Sequence, residues 1–364
     1  MKSRVLFIFL VVFSLGLQAQ SPRKARRDSM IRVHNRQDTN YVRKYLDRLI
    51  ISLNQSYRHY DVQFSQKVHP DTSGISSHQY IADANVVTGA AIDFDKISFS
   101  FSLKSVSPTD AVVQKKGKTS YSSFSLSFNA FRFRVETSYR NYKNFYDLNS
   151  ARYISPFTDS VPYYQSPMDV RSLRAKTLFI FNKKRFSYNA AYYNTYRQIK
   201  SAGSWLGVAN VYGYRFRSDP SFFPPSSRVF YDTWGYMDYF NVFGISVGPG
   251  ASYNLVLFKV AYLNLTLTTG LDMQHQYYHT RVYDMSRVMW RAGFASDFRA
   301  AFGLNFKNFF TSLTLRIDYN SYLAKNFLIE PRYITGDFNI GYRFPFKQRK
   351  WVKKLQENEY YKML

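Results

Sequence analysis

The sequence predicts an all-β protein, a transmembrane antiparallel β-barrel of about 12 strands, with roughly 10–14 allowed. Three observations carry that reading. Apolar and polar residues alternate with period two over most of the chain. Aromatic residues reach 19%, with 32 Tyr and 33 Phe, more than soluble domains usually hold. Such rings suit sites where one end is apolar and the other wet, as at a membrane interface. The third observation is a single apolar stretch at the N-terminus, with nothing comparable after it.

That stretch opens the order of elements. Lys2 and Arg4 precede an apolar run from Val5 to Leu17, followed by Leu17 and Ala19 at a cleavage point. This is the layout of a secretory signal, expected over residues 1–19. The run is shorter than the ~20 residues a membrane-spanning helix needs. No later segment approaches ~18 apolar residues, so helical spans are excluded for the remainder. The chain has no cysteine, which excludes a lipoprotein anchor, disulfides and thiolate metal sites.

Residues 20–47 form a basic lead that includes Arg23, Lys24, Arg26, Arg27, Arg32 and Arg36. Residues 48–346 are the expected barrel. Ile97, Phe99, Phe101 and Leu103 alternate with serines, as do Phe124, Leu126 and Phe128. Phe131, Phe133, Val135 and Tyr139 alternate with Arg132, Arg134, Glu136 and Arg140. Leu313, Leu315, Ile317 and Tyr319 alternate with Ser312, Thr314, Arg316 and Asp318. Successive strand residues point to opposite faces, so each segment has one apolar and one polar face. Weaker alternation marks 49–57, 86–94, 173–181, 186–196, 206–214, 243–253, 258–271, 294–306 and 338–344. Most segments reach about 8–14 residues, near the ~9–11 that cross a bilayer.

Short turns are expected near Asp95, Phe131, Lys183, Leu257 and Lys307, and long loops over 59–82, 104–119, 147–170, 272–289 and 321–335. Short turns on one rim and long loops on the other suit an outer-membrane barrel. The alternation of rims fails around 198–240, where an extra strand near 228–234 would restore parity. Residues 347–364 form a basic tail, helical in pattern over 351–361. A soluble sandwich also alternates, but these strands are long, and their polar face carries Ser, Thr, Asn and Arg. A barrel leaves no open edge in lipid.

The polar faces place Arg132, Arg134, Glu136, Arg140, Arg174, Lys176, Arg197, Asp297, Arg299, Arg316, Asp318 and Arg343 in the lumen. Buried charges need partners. Arg299 with Asp297 and Arg316 with Asp318 are the expected pairs between neighbouring strands. A packed charge network is one reading, and an anion-admitting channel lined by Arg132, Arg134, Arg174 and Arg316 is another.

Two short motifs and a closing strand resemble the bacterial family called domain of unknown function 4421. They are Asp38-Thr39-Asn40-Tyr41 with Tyr45-Leu46-Asp47-Arg48-Leu49, Ile199-Lys200-Ser201-Ala202-Gly203-Ser204-Trp205-Leu206, and Gly341-Tyr342-Arg343-Phe344. The resemblance spans 38–346, with Leu46 where that family would carry Pro. It implies an outer-membrane barrel and no assigned activity.

No catalytic set emerges. His34, His59, His69, His78, His275 and His279 include one pair four residues apart. On a strand that pair would stand ~13 Å apart, too far to share a metal. A lipid-modifying enzyme would need a Ser–His pair, for which His275 or His279 is the candidate, but there is no Gly-x-Ser-x-Gly elbow. We therefore expect no enzyme, no cofactor and no metal. The net charge of +26 favours anionic lipid headgroups as partners. Nucleic acid is not expected, because the aromatic residues are locked into the strand pattern of an exported chain. The expected location is the outer membrane of a Gram-negative bacterium, in a structural or interaction role.

Overall fold

A computed structural model describes residues 37–345, except Leu46, 67–72, Phe131 and 325–326, and adds Val352, Lys354, Gln356 and Asn358. The leader over 1–19, the basic lead up to Arg36, His34, His69 and most of the tail lie outside the described residues.

Twelve strands form the ring. In chain order they are β2 (Arg48–Gln66), β3 (His78–Phe94), β4 (Ile97–Lys104), β5 (Ser120–Ala130), β6 (Phe133–Asp147) and β7 (Gln165–Ile180). There follow β9 (Ala202–Arg217), β10 (Met237–Leu257), β11 (Ala261–Thr280), β12 (Met285–Asn305), β13 (Phe309–Asn320) and β15 (Phe327–Pro345). Consecutive ring strands pair antiparallel, and β15 bonds both β13 and β2, which closes the ring. The remaining elements lie outside the ring order: β1 (Val42–Lys44), β8 (Tyr196–Gln198), β14 (Tyr322–Leu323), α1 (Asp110–Lys116) and α2 (Asn189–Tyr192).

Alternation sorts the faces. Leu53, Phe101, Leu173, Trp205, Leu267 and Leu313 point outward and are exposed, while Asn54, Ser102, Ser172, Ser204, Thr268 and Ser312 point inward. A belt so apolar is unstable against water and stable against acyl chains. Serine and threonine suit the inner face, because small hydroxyls can bond in a space too narrow for large polar groups. The β4–β5 hairpin is short, and beyond it β3 pairs directly with β6 through Tyr80↔Asp147.

Four expectations need correction. The 186–196 segment is not a ring strand. Both of its alternating faces are buried, at Phe186 and Tyr188 as at Ser187 and Asn189, so neither meets lipid. The short turn expected near Lys183 is instead a connection over 181–201 containing α2 and β8. The stretch near 228–234 is 3-10 helical within Pro225–Tyr236, broken by a kink at Asp232, and not a fourteenth strand. The long loop over 272–289 is a turn between Thr280 and Met285, because β11 and β12 run on well past the apolar belt. In the tail, Val352, Lys354 and Gln356 are helical.

Candidate functional site: a barrel filled from both ends

Two segments of the chain pack into the lumen, one toward each mouth. At the long-loop mouth, the loop between β9 and β10 turns inward. Phe222, Phe223, Tyr231 and Trp234 are buried there. Phe223 stacks on Tyr231 at 3.9 Å, Trp234 meets Tyr278 edge-on at 4.6 Å, and Phe64 stacks on Phe222 at 5.7 Å. The Tyr80 hydroxyl donates to the Phe222 carbonyl and the Tyr231 hydroxyl to that of Ser76. Beneath them His78 Nδ1 lies 2.6 Å from Asp147 Oδ2, and Tyr153 donates to the same oxygen at 2.7 Å. A Cβ on Gly244 would stand 2.3 Å from Tyr212 Cζ, so only glycine lets that ring cross the wall to reach Asp272.

At the short-turn mouth the 181–201 connection enters the barrel. The lead fixes it from outside: β1 pairs with β8, and Ile199 donates to the Tyr41 carbonyl at 2.7 Å. Its tyrosines reach the wall. Tyr193 donates to Glu136 at 2.7 Å, Tyr192 donates to Asn264 at 2.6 Å, and Tyr188 accepts from Arg299 at 2.6 Å. Arg343 donates to the Asn194 carbonyl at 2.9 Å and to Asn305 at 2.7 Å.

Between the two plugs lies a polar chamber of about 180 Å³. Most of the sequence-predicted charges meet in or beside it. Glu136 accepts from Arg134 at 3.2 Å and from Arg299 at 2.9 Å. Asp297 lies 2.9 Å from Arg299 and 3.2 Å from Lys176. Asp318 lies 3.1 Å from Arg140 and 3.3 Å from Arg174. The Arg134 guanidinium also covers the Tyr193 ring at 3.3 Å, and Arg140 covers Tyr333 at 3.6 Å.

Two predicted lumen residues are elsewhere. Arg132 sits in the short turn before β6, its guanidinium 6.0 Å from the Phe179 ring. Arg197 is on β8 and donates to the Lys259 carbonyl at 2.7 Å. Arg132 keeps the parity of the β6 lumen residues but precedes the strand, and Arg197 lies in the connection that leaves the ring. Of the expected pairs, Arg299 with Asp297 forms, but along β12, and Arg316 with Asp318 is corrected. Register sets Asp297 opposite Asp318 and Arg299 opposite Arg316, so like faces like. Asp318 is taken by arginines from β6 and β7 instead. Spacing along one strand could not show this offset.

Outside the membrane-spanning strands, Lys183 lies near Lys44, Lys96 and Arg132. Burial, reinforced by these like charges, pushes its ammonium down to about 7. His275 packs against Trp290 at 4.9 Å. His279 Nδ1 lies 3.0 Å from Asp238 and its Nε2 3.4 Å from Asp284. Ser286, across the strand from His279, instead meets the Tyr277 hydroxyl at 3.1 Å.

A closed ring of even strand number, belted with apolar side chains and charged within, defines an outer-membrane β-barrel. Within that class the chain belongs to the family described as Domain of unknown function (DUF4421), whose match covers residues 36–344. No curated protein matches it. Among solved structures, the outer-membrane protease OmpT of Escherichia coli is 8% identical, with TM-score 0.40 over 83% of this chain and 98% of that one. An outer-membrane channel from Pseudomonas putida F1 is 10% identical, with TM-score 0.34 over 85% of this chain and 100% of that one.

Proposed function

We propose that the protein is a closed, non-conducting barrel with a structural or interaction role, acting through its rims rather than through a pore. One observation carries this reading: each mouth is filled by a segment of the same chain, with buried aromatic residues at one and bonded tyrosines at the other. A solute would have to displace packed side chains on both sides. In this reading residues 1–19 are removed on export, and the short-turn rim with both chain ends faces the periplasm. The cations gathered at that rim, Lys44, Lys96, Arg132 and Lys183, would meet anionic headgroups. The role is non-enzymatic, in keeping with a His279 whose Nε2 is turned toward Asp284 and not toward a serine.

Planar-bilayer recording tests it. The intact protein should give no steady conductance, while deletion of residues 183–200 should open one. Anion-selective conductance in the intact protein, reduced by Arg134→Glu, would overturn the closed barrel in favour of a channel. Lipid deacylation lost in His279→Ala would replace it with an enzyme. Loss of the gel shift between unheated and boiled samples would overturn the folded barrel itself.

A further inference from the structure

The chamber has a charge imbalance that its own residues do not resolve. Among the described residues its lining includes six Arg and Lys side chains and four carboxylates, with Asp297 just outside the lining paired to three of those cations. Five of the cations have a carboxylate within ion-pair distance: Arg58, Arg140, Arg174, Lys176 and Arg299. Arg316 has none. Register sets it against Arg299, a like charge, and the Asp318 two residues along its own strand is held by Arg140 and Arg174. It is partly exposed, on the inner face of a lumen stopped at both ends, and it lines the chamber. A guanidinium that faces an enclosed polar space without an ion-pair partner keeps donors free for an anion. The chamber offers many times the ~10–15 Å³ that one water needs.

We propose that the chamber holds one small tetrahedral oxyanion of the phosphate or sulfate class, between Arg316 and Arg299. The planar fork of Arg316 offers two parallel donors to such an ion. With both mouths closed, the ion is a resident taken up as the barrel forms, and the proposal stands whether or not the rims have the role given above.

The test is to refold the full chain from urea into detergent, with radiolabelled inorganic phosphate or with chloride at matched ionic strength, then desalt. Wild type should retain about one phosphate per barrel and melt several degrees higher than in chloride. Arg316→Gln should retain background only and show no phosphate-dependent shift. Arg316→Lys keeps the charge without the fork and should retain phosphate at least tenfold more weakly; it serves if the Gln variant fails to fold. Wild type without retained phosphate would overturn the proposal and leave a hydrated guanidinium. Equal retention in wild type and both variants would overturn it too, by placing the ion elsewhere. Conductance plays no part in these readouts, so a failure here leaves the closed barrel untouched.

Discussion

The two halves of the lumen are filled by opposite means. Near the long loops the contents are rings. Phe64, Phe222, Phe223, Tyr231 and Phe327 pack on one another, and their tyrosine hydroxyls reach backbone carbonyls. Toward the short turns the contents are charges and tyrosines, most of them tied to named partners. Dispersion between rings is non-directional and tolerates exchange of one apolar shape for another. A buried charge is directional and tolerates little, since removal of one partner strands the other. The difference teaches that one barrel can be closed by volume at one end and by pairing at the other.

The deepest break should come on the charged side. Glu136→Gln removes the carboxylate shared by Arg134, Arg299 and Tyr193. It should lower stability by about 3–5 kcal/mol, read as the urea midpoint of refolding in detergent. A loss below ~1 kcal/mol would mean that water screens the chamber, and the contrast would fail.

On the aromatic side, Phe223→Ala should cost about 3–4 kcal/mol. Phe223→Leu should cost under ~1.5 kcal/mol, because volume is nearly kept. Comparable losses for Leu and Ala would show that ring geometry, not filling, closes that mouth.

Tyr193→Phe sharpens the comparison with a smaller change, deleting one hydroxyl bonded to a carboxylate and leaving the ring under Arg134. We expect a loss of about 1.5–3 kcal/mol. Tyr231→Phe, which deletes a bond to a backbone carbonyl, should cost nearer ~1 kcal/mol.

The rim gives an effect that appears only as a pH dependence. Lys183 titrates near 7 in the folded chain, against an ordinary value of 10.5. Between those limits the unfolded chain holds a proton that the folded chain lacks, so stability rises with pH across that window. The cost of the charged lysine is fully present below about 7. Lys183→Met should flatten the rise in melting temperature from pH 6 to pH 9. Vesicles of anionic lipid should move the titration of Lys183 upward, readable by NMR of the methylated amine; an unmoved titration would weaken the headgroup reading.

The barrel was legible because period two survives in a wall with lipid on one side and hydroxyls on the other. Phe99, Phe101, Phe124 and Leu313 had one place to go, and their serine neighbours had the other. The same signal misled at Phe186 and Tyr188, since a segment enclosed by protein buries both faces and its alternation carries no lipid side. Arg132 kept the right parity but lay beyond a strand end that periodicity locates poorly, and Arg197 went with the 181–201 connection that leaves the ring. The aromatic plug carried no periodic signal at all, only Phe222, Phe223 and their flanking prolines in an apparent loop.

By itself the sequence determined that the chain is a barrel and which face of each alternating strand is apolar, because side-chain direction in a strand follows from local geometry. Tertiary structure alone decided the pairing of those charges. Register between β12 and β13 set arginine against arginine, and closure of the ring brought β6 and β7 across to claim Asp318. Such contacts join residues far apart in the chain, 178 positions for Arg140 and Asp318, and local spacing holds no record of them.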